Sequence, residues 1–305
     1  MPYDLKTSTL CFPDDLKSCF ACCPPIRPAG YEHQTHKNII KRILRENTDS
    51  FVKEDRMKRP IRGYSCWALG YLDQDCRLPG CLLHPCRNDG IDLRYRVDYG
   101  EKCQREYCPE AKTFAGLPSH VKAFWVGLAD GLDSFSYSSR RTNLLFRMMN
   151  WGEPFLHFIS GAEAEEKLTG DSFLKIYPFF TNPLPPRGHA YLLGRLIDEK
   201  NLHWLKSTPF KNAFERFSSD LVASTGQKAQ TLTRAQKPGN AEGQPGSHVH
   251  LLPLDRNFSD FLRLTLHVTQ ATLEEALTIK EEVDVRIEAF RKEGARCLNS
   301  TGMQS

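Results

Sequence analysis

Apolar positions recur with helical spacing through the last two-thirds of the chain and only once in the first third. That exception is HKNIIKRILREN, where Ile39, Ile40, Ile43 and Leu44 fall on one helical face. Its Lys41, Arg42 and Arg45 make a solvated face. From residue 117 the pattern is sustained. SHVKAFWVGLADGL sets Val121, Phe124, Trp125 and Leu128 on one stripe behind Ser119, a predicted N-cap. RTNLLFRMMN, GHAYLLGRLIDEKNLHWL and PFKNAFERFSSDLVAS predict further helices, with the proline-rich TNPLPPRG (181–188) separating two of them. The aromatic residues frequent here read as core.

Residues 225–248 hold almost nothing apolar and read as a flexible linker. A helical pair follows. DRNFSDFLRLTLHV carries Phe258, Phe261, Leu262 and Leu266, and the last helix carries Leu273, Leu277, Val283, Ile287 and Phe290. Gly294 reads as its C-cap, and its acids come early and its bases late, as the helix dipole favours. The expected organisation is therefore a cysteine-rich module over 1–116, a helical domain over 117–224, a linker over 225–248 and a helical pair over 249–293 packed on that domain. The fold class is mainly α, with an irregular metal module packed on a helical domain. No repeat is present.

Composition changes the picture at one point. Ten of the eleven cysteines lie between Cys11 and Cys108, and only Cys297 lies elsewhere. The N-terminus has no apolar signal core, so a cytoplasmic location is expected. Thiols clustered in a reducing compartment point to metal ligation rather than to disulfides. A net charge of +4 is too mild to imply nucleic acid or an anionic membrane as partner, and no apolar run is long enough to span a bilayer. A protein partner stays open.

The thiols form two groups. The first is Cys11, Cys19, Cys22 and Cys23, in which Cys19-x2-Cys22 has the spacing of a turn that directs two sulfurs at one metal. Adjacent residues of an extended chain face opposite ways, so Cys22 and Cys23 serve two sites or one ligand and one bystander. The second is Cys66, Cys76, Cys81, Cys86, Cys103 and Cys108, punctuated by Pro79, Gly80, Pro85, Gly90 and Pro109. Its five-residue steps match no helix face and predict loop ligands. His84 is a candidate nitrogen ligand. Ten thiols suffice for two four-ligand centres of zinc or iron, iron–sulfur included. His33 and His36 read as surface residues, and MKRPIRG (57–63) as a solvated loop.

These residues carry a resemblance. Cys19-x2-Cys22-Cys23 followed by GCLLHPCRNDGIDLRYRVDYGEKCQREYCPEAKTF resembles the bacterial zinc- or iron-chelating cysteine-cluster family of YkgJ type. The matching positions are Cys19, Cys22, Cys23, Cys76, Gly80, Cys81, His84, Pro85, Cys103 and Cys108, within residues 11–113. The resemblance implies metal chelation, and the family includes flagellin lysine methylases. No P-loop, G-x-G-x-x-G, G-x-S-x-G, H-E-x-x-H or radical-type C-x3-C-x2-C occurs. Three functions fit: a metal or iron–sulfur protein in a redox, metal-handling or protein-modification role; a zinc-built interaction module; and an S-adenosylmethionine-dependent protein lysine methylase. Whether the chain is an enzyme is left open by the sequence. Metal and fold are expected to be coupled over 1–113, because one amphipathic helix offsets little chain entropy.

Overall fold

The structure, a computed structural model, describes residues 9–21, 35–53, 66–97, 103, 108–234 and 247–300, except the side chains of 52, 53, 86, 227–234 and 295–300. The chain divides into two compact units, Met1–Gly170 and Asp171–Ser305. It is mainly helical. Among the described residues no helix is long and apolar enough to cross a membrane.

In the first unit, α1 (Lys37–Lys53) lies along β1 (Leu69–Tyr71), which pairs antiparallel with β2 (Pro79–Cys81). The buried edge of α1 is Ile40, Leu44 and Phe51, whereas Ile39 is exposed, so the apolar face is narrower than its sequence suggests. Polar side chains of the same helix sew it to the strand. Asn47 Nδ2 donates to the carbonyls of Cys66 and Leu69, and Tyr71 N–H donates to Thr48 Oγ1. Gly70 and Gly80 face each other across the hairpin, where a Cβ on Gly70 would come within 2.6 Å of Thr48 Oγ1. A core of Phe20, Ile40, Leu44, Leu69, Tyr71, Leu82, Leu83, Val97 and Phe135 fills this region. Among the described residues the cysteine-rich segment is thus less irregular than expected, and it shares an apolar core with Phe135.

The first unit continues through α2 (Pro109–Gly116), α3 (Ser119–Gly127), α4 (Ser134–Ser138), α5 (Leu144–Met149) and α6 (Glu153–Ala162). Val121, Trp125 and Leu128 are buried as expected, and Trp125 Nε1 donates to the Leu156 carbonyl of α6. Ser119 is the first residue of α3 and does not cap it; Pro118 occupies the cap, with no side-chain hydrogen bond. The expected boundary at 116/117 falls inside this unit. Its cause is α4, whose serines bind the backbone of the cysteine-rich segment, as described below.

The second unit holds α7 (Gly170–Ile176), α8 (Pro186–Leu196), α9 (Leu202–Leu205) and α10 (Thr208–Arg234). After them come a two-residue pair, β3 (Ser247–His248) with β4 (Gln270–Ala271), and the helices α11 (Arg256–Leu264) and α12 (Leu273–Ser300). Pro186 opens α8, where its missing N–H costs nothing. The run GHAYLLGRLIDEKNLHWL breaks in two because Asn201 Nδ2 takes the Leu196 carbonyl while its Oδ1 accepts the Asp198 N–H. Residues 225–234, expected to begin a linker, complete α10; 235–246 lie outside the described residues. The C-terminal pair packs on α8 and α10. Tyr191 of α8 donates to Asp284 of α12, whose other oxygen takes Lys280. On α12 the buried stripe is Ala276, Ile279, Val283 and Ile287; Leu273 and Leu277 are exposed.

Gly294 does not end α12, which runs on to Ser300. It is glycine because a Cβ there would sit 2.3 Å from the Trp204 ring. That ring is held between Phe210 at 4.6 Å and Phe290 at 5.3 Å, so it cannot give way cheaply. Gly294→Ala gains about 1 kcal/mol of helix propensity and loses about 1–3 kcal/mol to overpacking. The expected outcome in chemical denaturation is a net loss of stability; a stabilised variant would show that the Trp204 contact does not constrain the site.

Candidate metal centre

The described part of the N-terminal cysteine segment is held by α4. Ser18 N–H donates to Ser134 Oγ at 3.1 Å and Phe20 N–H to Ser138 Oγ at 3.0 Å. Ser134 Oγ donates in turn to the Arg77 carbonyl, and Ser18 Oγ to the Pro79 carbonyl. Tyr137 O–H reaches the Leu10 carbonyl. One short serine-rich helix therefore fixes the backbone on both sides of Cys19 and the strand leading into Cys81. Cys11 lies beside this segment, its carbonyl accepting the Cys19 N–H at 2.8 Å.

Cys66, Cys81 and Cys103 form one neighbourhood. Cys66 is buried in the core before β1, Cys81 ends β2, and Cys103 belongs to a separate stretch of chain. Burial pushes the Cys66 thiol up to about 11, and the charge of Cys103 adds to it. Cys81 goes up to about 12, through burial first and then the charges of Cys66 and Cys103, against the pull of Arg94. The Arg94 guanidinium is clamped by Asp92 and donates to the Cys103 carbonyl at 3.2 Å.

Cys108, the N-cap of α2, forms a second neighbourhood. Its Sγ donates to Glu110 Oε2 at 2.6 Å, and Asn150 Nδ2 donates to Glu110 Oε1 at 3.1 Å. Arg140 Nη2 lies 3.5 Å from both Cys108 Sγ and Glu110 Oε2, and its charge also interacts with Cys19. Burial pushes the Cys108 thiol up to about 11, helped by its bond to the carboxylate. Glu110 itself is held low: burial opposes its charge, but the bonds from Cys108 and Asn150 and the Arg140 cation outweigh it.

The other candidates stand apart. Cys76 has a left-handed backbone, φ 56°, in the loop closed by the Asp73 carboxylate, with its Sγ 3.8 Å from the Gln74 carbonyl. His84 meets Phe12 edge to face, and its pKa is lowered to about 4 by burial and by Arg94. Cys22, Cys23 and His33 lie outside the described residues, as does the Cys86 side chain. His36 is half-buried at the start of α1, where its carbonyl accepts the Ile40 N–H.

Two chemical points bear on metal. The donor set suits a soft ion: burial first, and the neighbouring thiols after it, raise the Cys66 and Cys81 pKa values, so both are neutral near pH 7 unless a cation displaces the proton. Against that, no three His, Cys, Asp or Glu side chains among the described residues come together as a group able to hold an ion. The thiols are electrostatic neighbours there, not a closed ligand shell. Glu110, Arg94, Arg140, Asn150 and the α4 serines were missed in the sequence. Glu110 follows Cys108 by two positions, but nothing in SFSYSSRR marks it as part of a thiol site. Comparison with protein-family models, with curated proteins and with solved structures finds no match.

Proposed function

We propose that the first unit binds zinc or iron, iron–sulfur included, through cysteines of both groups, in a redox, metal-handling or protein-modification role. The observation that supports this reading is that Cys66, Cys81 and Cys103, from separate parts of the chain, border one apolar core. Isolated buried thiols are ordinary small hydrophobes; three that feel one another's charge are costly to ionise without a cation. The Arg140 cation interacts with the charges of both Cys108 and Cys19, which supports a second centre drawn from both groups. The resemblance of residues 11–113 to the cysteine-cluster family agrees with it. When bound, zinc supplies a cross-link and iron adds electron transfer.

A purely structural zinc role is favoured by one observation, the 7% exposure of Cys66 inside the apolar core. Colour separates the two readings, since thiolate-bound iron absorbs visible light and zinc does not. Protein purified without oxygen is expected to carry metal at about two sites per chain, as ten thiols at four per centre allow, which is about two equivalents of zinc or single iron and more iron where the centres are iron–sulfur clusters. Less than about half an equivalent by elemental analysis would sink the metal reading.

A further inference from the structure

We propose that the groove between α10 and α12 docks a second copy of this chain, the two helix pairs closing on each other as a four-helix bundle about a two-fold axis. The inference stands apart from the metal reading, since every residue that lines the groove belongs to the second unit.

Arg286 Nη1 donates to Ser224 Oγ and Phe290 stacks on Phe217, so ascending positions on one helix meet descending positions on the other: the pair is antiparallel. Between the helices lies an open groove of about 690 Å³. Its floor is apolar. The Phe217 and Phe290 rings lie 4.4 Å apart and 15° from parallel, both half-buried, with Trp204 5.3 Å from Phe290. Ala213 and Ala289 leave the space above them unfilled. The apolar surface does not end with the groove, because Val285 is 69% exposed and stands one turn before Ala289 on the same side of α12. A small ligand in the groove leaves that stripe in water, whereas a second helix pair covers it.

The charges on the rim select the partner. Arg216 and Asp220 line the groove from α10, and Arg286 and Glu293 from α12. Arg286 is steadied by Ser224 and by Glu282 at 3.7 Å. Because the helices are antiparallel, Arg216 stands level with Glu293 at one end of the groove and Asp220 with Arg286 at the other. The charges therefore alternate in sign around the rim. Turning this pattern over about a two-fold axis that runs along the groove, or across it, lays every carboxylate on an arginine. A wholly acidic or wholly basic partner meets two like charges here, and a copy of the same face meets none. An isologous contact demands this self-complementarity, and like charges brought together count heavily against a wrong partner.

The test is the sedimentation of the full chain as purified. A reversible monomer–dimer equilibrium in the micromolar range is expected. Ala289→Arg sets a long cation into the groove from an exposed helix position and should weaken the dimer about 10-fold or more. Asp220→Arg with Glu293→Arg makes the rim wholly basic, and Arg216→Glu with Arg286→Glu makes it wholly acidic. Each of these double variants should be monomeric alone, and an equimolar mixture should dimerise, which a chain that failed to fold could not do. Wild-type chain that stays monomeric up to about 200 µM overturns the proposal. So does a dimer untouched by Ala289→Arg and by both rim variants, because it then uses another surface. If the rim variants are folded by circular dichroism and still do not pair, the charge match is wrong and the proposal falls. A monomer that carries a small apolar molecule, lost in Ala289→Arg, assigns the groove to a ligand and overturns the proposal as well.

Discussion

Stripping the protein with a strong chelator at neutral pH is expected to lower the stability of the first unit by several kcal/mol and to leave the second unchanged. Thiolate-bound zinc contributes on the order of 10 kcal/mol in small modules, and whatever binds only the folded state adds its binding free energy to stability. The first unit also has an apolar core, with Leu44, Leu82 and Leu83 fully buried. Without metal, Cys66 and Cys81 are neutral thiols that such a core tolerates. Loosening rather than complete unfolding is therefore expected. Hydrogen exchange resolves it. Amide protection over Leu69–Tyr71 and at Leu82 should fall by orders of magnitude, while Leu192, Leu193 and Val283 keep theirs. Cys81→Ser and Cys108→Ser should act alike, and Cys297→Ser should be silent. Protection unmoved by chelation would mean that metal does not hold this region together.

The helices of the second unit were legible because periodicity reports burial directly. Phe258, Phe261 and Leu262 recur at helical spacing and are all fully buried. Where an expectation failed, a tertiary contact decided what periodicity could not. Leu273 and Leu277 continue the α12 stripe on paper, yet the face turned to α8 and α10 is Ala276, Ile279 and Val283. Gly294 resembles a cap in sequence and is a packing residue in space, because its partner Trp204 is ninety positions away. The polar run that suggested a linker from residue 225 does not stop α10, which runs on to Arg234, since polar residues are compatible with helix.

The candidate site was legible in its donors and not in its scaffold. Clustering and spacing single out the cysteines without reference to any fold. Nothing local assigns Cys66, Cys81 and Cys103 to one neighbourhood and Cys19 and Cys108 to another, because these groupings depend on chain segments meeting through space. The first unit extends past the expected boundary at 116/117 for the same reason. That boundary followed a change in composition, whereas the physical connection runs from Ser18 to Ser134 and from Phe20 to Ser138, between segments more than a hundred residues apart. Hydroxyl-to-backbone bonds of this kind leave no periodic trace.

That connection supplies the second large effect. In the double variant Ser134→Ala and Ser138→Ala, the amides of Ser18 and Phe20 lose their acceptors, and both residues are buried. An orphaned buried N–H costs about 1–3 kcal/mol, so the pair is expected to destabilise the first unit by about 2–6 kcal/mol. The serines themselves are almost wholly buried, so water cannot easily replace them without opening the seam. The Arg77 carbonyl loses its donor as well, which frees the loop leading into β2 and Cys81. The consequence reaches the thiols: Cys19, held on both sides by these bonds, should leave the vicinity of Arg140. Two measurements report this together. Exchange of the Ser18 and Phe20 amides should quicken, and cobalt(II) should bind with fewer thiolates than in the unchanged protein. If the amides exchange as before and the cobalt absorption keeps its full intensity, α4 does not hold the cysteine segment, and the reason given for a single unit spanning both sides of residue 116 is wrong.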